Sequence, residues 1–104
     1  MKSETELRKI ESLVKPFVEL GIYESPEKFI RDMISKFVSD RINYYKKLIE
    51  RFESKYKMSL AEFTKKLKGR ATPKLEDDWM EWESAVNMLE AWKRAVKETD
   101  TGAS

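Results

Sequence analysis

Two chemically versatile side chains are missing from this 104-residue sequence, which contains no cysteine and no histidine. Without cysteine the chain has no disulfide and no thiol nucleophile, and without histidine it has no imidazole acid or base. The same absences remove the commonest ligands of zinc and haem. No glycine-rich motif for phosphates or dinucleotides is present either. We therefore predict that the protein is not an enzyme and holds no metal and no cofactor.

Glycine and proline are scarce, at 3 residues each, which leaves little material for β-turns. The composition is 40% hydrophobic and 38% charged, which is typical of amphipathic helices in a small globular protein. A chain of this length is expected to form one domain with a modest core. The predicted fold is all-α: a small bundle of four helices with one long central helix, in a single domain covering 1–104.

Long apolar runs are absent as well. None approaches the roughly 18 residues that a membrane span needs, and the first residues are too polar and acidic for a signal peptide. We expect a cytoplasmic protein that does not bind membranes. Glutamine is absent and asparagine occurs only twice, beside abundant lysine and glutamate, a pattern typical of thermophilic sources.

The first helix is predicted to begin at Ser3, because Ser3 and Glu6 have the spacing of a capping box. Apolar residues then recur every three or four positions over 7–18, which gives one apolar stripe. Pro16 lies inside this stripe and predicts a kink, and Gly21 predicts the end of the helix.

The second helix is predicted to start with Ser25 as N-cap and Pro26 at its first position. No glycine or proline interrupts residues 27–57, so one helix of roughly 45 Å is expected. So long an amphipathic helix has more apolar flank than one copy of the chain covers. This favours a homodimer.

The third helix has the clearest start. Ser59 and Glu62 form a capping box, Met58 and Phe63 a hydrophobic staple, and the helix is expected to end near Gly69. Residues 1–69 are thus interpreted as a helical hairpin followed by a short helix.

A linker is predicted at residues 70–78 and a C-terminal helix at 79–98. The start of this helix stays open between two signals, Thr72 with Pro73 and the acidic residues that end at Asp78.

Charge is segregated along the chain. Residues 41–74 carry 11 Lys/Arg against 3 Asp/Glu, whereas residues 75–104 carry 3 against 8. The basic segment is either a solvated face that attracts the acidic last helix, a contact for a protein, or a contact for nucleic acid. The net charge of only +2 argues against nucleic acid. The candidate residues for a nucleic-acid contact are Lys46, Lys47, Arg51 and Lys55.

The tryptophans and acidic residues of the last helix also have two interpretations. Tryptophan is favoured at protein interfaces, but a small core gains equally from burying it. Acidic residues could bind a cation, but they lack the spacing of an EF-hand loop and suit the first turn of a helix in any case. The candidate partner-binding residues are Trp79, Trp82, Asp77, Asp78 and Glu81.

Residues 21–34, GIYESPEKFIRDMI, resemble the turn and second helix of ribbon-helix-helix proteins, which include many antitoxins of prokaryotic toxin–antitoxin pairs. Residues 52–59 and 77–83 are similar to small antitoxin-like proteins. The resemblance implies a dimer whose second helices pack across a two-fold axis, and a C-terminal region that binds a toxin. The dimer residues it implies are Phe29, Ile30, Met33, Ile34 and Phe37.

That family reads DNA with a strand placed before its first helix. The residues before the first helix here do not alternate, so we expect a version without the DNA-binding strand. The predicted function is a non-catalytic, antitoxin-like protein-binding module that dimerises through its second helix. The alternatives are a nucleic-acid-binding regulator that uses residues 41–74, and a structural helical protein that associates with itself.

Overall fold

The computed structural model describes the backbone of residues 2–103 and the side chains of residues 4–98, and within these limits it contains helices and no strand. The four helices are α1 (Lys2–Glu19), α2 (Pro26–Tyr56), α3 (Leu60–Leu67) and α4 (Pro73–Ala103). The predicted all-α fold with a long second helix is confirmed. In the described part of the chain, no helix is both long and apolar enough to cross a bilayer.

The chain divides into two compact units, and α2 contributes to both. The first, here called the N-terminal unit, is Met1–Phe37 and contains α1 and the beginning of α2. The second, the C-terminal unit, is Val38–Ser104 and contains the rest of α2 with α3 and α4.

A Schellman motif ends α1 at the predicted place. The amide of Gly21 donates to the carbonyl of Val18 and that of Ile22 to the carbonyl of Phe17, both at 3.0 Å. Gly21 has a φ of 78°, a left-handed conformation that favours glycine. At its other end α1 already includes Lys2, so it begins one residue earlier than predicted. The helix continues through Pro16, and the kink proposed there stays a prediction.

The start of α2 is the one its sequence predicts. The Ser25 hydroxyl oxygen accepts a hydrogen bond from the Lys28 amide at 3.2 Å, and Pro26 is the first helical residue. Glu27 and Arg31 form an ion pair at 3.0 Å one turn apart, but both side chains are well exposed, so the pair adds little stability.

The core lies in the C-terminal unit, where α2, α3 and α4 meet. Trp82 of α4 is fully buried, and the ring of Phe52 stacks on it with centroids 5.5 Å apart. The rings of Phe63 of α3 and Tyr56 of α2 also pack near Trp82, with centroids 5.4 and 6.1 Å from that of Trp82. The buried members of this cluster are Leu48, Phe52, Phe63, Trp82 and Ala85.

One serine cap sets the start of α3, and one threonine cap sets the start of α4. Ser59 accepts from the Glu62 amide at 3.2 Å, which confirms the predicted cap. Thr72 accepts from the Leu75 amide at 3.3 Å, and Pro73 is the first residue of α4. The earlier of the two proposed starts is therefore the real one, and residues 73–78 of the predicted linker are helical. The reason is that Pro73 suits the first helical position and Thr72 caps the turn.

The residue that follows α2 adopts an unfavourable backbone conformation. Lys57 has a φ of 55°, in the left-handed region where a side chain costs roughly 1 kcal/mol. We expect Lys57→Gly to raise the free energy of unfolding by roughly 0.5–1 kcal/mol, the gain being reduced by the greater freedom of glycine in the unfolded chain. Urea unfolding of the wild type and the variant measures this difference in the free energy of unfolding. The control is Lys57→Ala, which removes the charge but keeps the side-chain carbon; an equal gain there would assign the effect to charge instead.

Candidate association surfaces

The N-terminal unit exposes most of its large apolar side chains. Among its described side chains only Val14 is buried, whereas the exposed fraction of the others reaches 77% at Leu20. We call this set the N-terminal apolar surface. Its members are Leu7, Ile10, Leu13, Phe17, Leu20, Ile22, Met33, Ile34 and Phe37. The unit thus has two amphipathic segments and almost no core of its own.

One aromatic contact joins α1 to the start of α2. The rings of Phe17 and Phe29 stack with centroids 4.7 Å apart, and Tyr23 meets Phe29 edge-on at 5.0 Å. Partial burial raises the pKa of the Tyr23 hydroxyl, and the neighbouring Asp32 carboxylate raises it further. The contact lies next to the turn, so it does not cover the apolar stripes that extend away from it.

The five predicted dimer residues fall into two groups. Phe29 and Ile30 are half-buried, and Phe29 belongs to the intramolecular stack. Met33, Ile34 and Phe37 are exposed by 43%, 51% and 59%. They recur at three and four positions and therefore share one side of α2. These three, with the exposed residues of α1, are the ones that can contact another molecule.

Trp82 cannot serve as a partner-binding residue, which corrects its assignment to that set. Its side chain is fully buried against the rings of the C-terminal unit, so it presents no surface. Trp79 is half-buried, and its indole N–H donates to the Thr64 hydroxyl oxygen at 2.8 Å. The exposed apolar residue of this region is Met80, which the sequence did not single out.

Asp78 and Lys55, assigned above to two different sites, bind each other. The Lys55 ammonium lies 2.8 Å from the Asp78 carboxylate, which also accepts a short hydrogen bond from the Tyr56 hydroxyl. The hydrogen bonds from Lys55 and then Tyr56 lower the pKa of Asp78. The hydrogen bond to Asp78 also raises the pKa of Lys55. The pKa of Tyr56 is raised mainly by burial and, to a smaller extent, by its hydrogen bond to Asp78. This network joins α2 to α4.

The other residues of the two charged sets are exposed. Asp77 and Glu81 point away from the core on α4. Lys46, Lys47 and Arg51 lie on the surface of α2, in a stretch that also carries Glu50 and Glu53. With Lys55 paired, the cationic surface of α2 is smaller than the sequence predicts.

The structure contains a groove between α3 and α4 that was not predicted from the sequence. We call it the α3/α4 groove. Its walls are mostly apolar, with Lys68 and Glu76 contributing charges of opposite sign. The sequence feature that could have indicated this groove is the run of lysines around the end of α3. The lining residues are Thr64, Leu67, Lys68, Gly69, Ala71, Glu76, Trp79 and Met80.

Comparison with protein-family models, curated proteins and solved structures found no match for this chain. In the part of the chain that the structure describes, no three acidic side chains come together as a group that could hold a metal ion. What the geometry offers is a set of exposed apolar side chains on the N-terminal unit and a mostly apolar groove on the C-terminal unit.

The burial of Trp82 has a measurable consequence. We expect Trp82→Ala to lower the free energy of unfolding by about 3–5 kcal/mol, because it removes the ring that three others surround. Met80→Ala, two residues earlier and exposed, is the matched control and should change stability by less than about 0.5 kcal/mol. Similar losses in both variants, measured by urea unfolding, would contradict the assignment of Trp82 to the core.

The Asp78 network predicts a pH-dependent stability. The folded-state pKa of Asp78 lies below its unfolded value of roughly 3.9, so its contribution is present above that pH and is lost as the pH falls through the folded-state pKa. The stability difference between the wild type and Asp78→Asn should therefore be largest near neutral pH and should narrow in acid. Asp77→Asn, the exposed neighbour, is the control. A difference that does not vary with pH would show that the charge is unimportant.

Proposed function

We propose that this protein is a non-catalytic association module that pairs with a second copy through the N-terminal apolar surface and binds another protein through its C-terminal unit. The observation that carries the proposal is the uneven burial: nine large apolar side chains of the N-terminal unit are exposed while one is buried. Monomers rarely expose large apolar patches, and such patches mark interaction sites.

The size of the surface is suited to a dimer. If each of the nine side chains exposes on the order of 100 Å², the total is on the order of 900 Å², comparable to the roughly 800 Å² per partner of a standard interface. Transferring such an area out of water is favourable by roughly 25 cal/mol per Å², before the costs of association are subtracted.

The charge of the N-terminal unit favours a second copy as the occupant. Its residues 1–37 carry 7 Lys/Arg and 7 Asp/Glu, so two identical surfaces meet without net repulsion. Met33, Ile34 and Phe37 on one side of α2 allow the helix to pack against its symmetry mate in a self-complementary interface. These three are among the five residues that the resemblance to ribbon-helix-helix proteins implies for a dimer.

The antitoxin-like role is part of this proposal. Its support is the resemblance of residues 21–34 and the exposed acids Asp77 and Glu81 on α4, which suit a basic partner surface. The protein would then inhibit its partner by steric occlusion of the partner's surface rather than by a catalysed reaction. The nucleic-acid alternative has less support, because Lys55 is paired with Asp78 and glutamates interrupt the cations of α2.

The dimer is tested by charge insertion. Ile34→Glu with Phe37→Glu places two carboxylates on the N-terminal apolar surface, so we expect the mass measured by light scattering to fall from two copies to one. The matched control is Ser35→Glu with Ser39→Glu, which adds the same charge on another side of α2 and should leave the dimer intact.

Salt separates this dimer from one formed by charge. Burial of apolar surface is not weakened by ionic strength, so the wild-type dimer should persist at about 1 M salt, where the screening length is roughly 3 Å. A monomeric wild type at low salt would contradict the proposal. Dissociation in high salt would instead support self-association between the basic and acidic segments.

A further inference from the structure

We propose that the α3/α4 groove is a docking site for an acidic amphipathic segment of another protein. This inference goes beyond the proposed function, because it concerns a different surface from the exposed acids Asp77 and Glu81, and it does not depend on the dimer. It names the chemistry of the partner: one or two apolar side chains that enter the groove, flanked by carboxylates.

The apolar part of the groove is preorganised. The indole of Trp79 is oriented by its hydrogen bond to the Thr64 hydroxyl, which itself donates to the Leu60 carbonyl at 2.8 Å. Leu67 lies half-buried in the same groove, and Met80 is exposed by 61%. A flexible methionine beside a rigid aromatic wall adapts to different apolar side chains. The groove therefore offers a contact without a large ordering cost.

The segment that supplies part of the groove lining is rich in exposed cations. Residues 65–74 contain five cations and no acid, and all five side chains are exposed. Among the described residues none of them forms an ion pair, in contrast to Lys55. Lys68 lines the groove, Lys65 lies one turn before it, and Arg70 sits between the lining residues Gly69 and Ala71. The five are Lys65, Lys66, Lys68, Arg70 and Lys74.

The combination favours a protein over nucleic acid. A phosphate backbone gains from the cations but makes no use of the apolar lining or of the exposed thioether of Met80. An acidic amphipathic segment satisfies both features, because its apolar residues recur on one side and its carboxylates lie beside them. Carboxylates near several exposed lysines also accelerate the encounter.

The test uses a designed probe. A fluorescein-labelled peptide of about 14 residues carries leucines at helical spacing and Asp/Glu elsewhere, and its binding is followed by fluorescence anisotropy in roughly 0.1 M salt. A second peptide of the same composition is scrambled so that its leucines do not share one side. We expect the patterned peptide to bind at least about tenfold more tightly than the scrambled one.

Two pairs of variants locate the site. Lys65→Glu with Lys68→Glu should weaken binding of the patterned peptide by about tenfold or more, whereas Lys46→Glu with Lys47→Glu, which changes the net charge equally, should not. Met80→Glu should weaken it similarly, whereas Met88→Glu on the same helix should not. Thermal unfolding of each variant verifies that the fold is retained.

Three results would overturn the proposal: equal binding of the two peptides, equal loss in the two lysine pairs, or tighter binding of a labelled DNA duplex that the Lys65 and Lys68 reversals abolish. The last would assign the cations to nucleic acid. The variant Ile34→Glu with Phe37→Glu should bind the peptide normally, so a failure of the dimer and a failure of the groove are distinguished by separate measurements.

Discussion

Burial of Trp82 is the interaction on which the C-terminal unit depends. Its ring lies against Phe52 of α2 and Phe63 of α3, so one side chain of α4 contacts both other helices. Asp78 precedes it by one turn on the same side of α4, and it is therefore carried to Lys55 and Tyr56. Trp79, also one turn away, reaches Thr64 of α3. The polar contacts of Asp78 and Trp79 depend on the aromatic one, because they form only where α4 lies against α2 and α3.

Among the side chains that the structure describes, the N-terminal unit has no comparable buried ring. Its aromatic stack of Phe17 and Phe29 is adjacent to the turn, and the stripes of α1 and α2 beyond it stay in contact with water. Helical stability in proteins comes mainly from covering such a stripe rather than from intrinsic propensity. A unit of this kind gains stability by association. This is why the function we propose for the unit rests on its exposed apolar surface.

Local signals in the sequence predicted the helices well. Ser25, Ser59 and Gly21 act through backbone groups only a few residues away, so their spacing suffices to identify the helix ends. The tertiary contacts were not predictable in this way. Lys55 and Asp78 are 23 residues apart, and nothing local distinguishes the buried Trp82 from an exposed tryptophan. Such choices depend on which side of α4 meets α2. The start of α4 was ambiguous for another reason, because Thr72 and the acids after it are both acceptable helix starts.

Charge segregation along the chain is only partly neutralised within it. One ion pair, Lys55 with Asp78, connects the basic segment to α4 among the described residues, while the cations of residues 65–74 are exposed and one of them, Lys68, lines the α3/α4 groove. Ion pairs with its own acidic helix therefore engage little of the basic segment among the described residues. The N-terminal unit carries no net charge, whereas residues 65–74 beside the groove carry five cations and no acid, so ionic strength acts on the two regions differently. If the two proposed contacts are made, self-association through the apolar surface would be insensitive to salt, while the affinity for a charged partner would fall as the salt concentration rises.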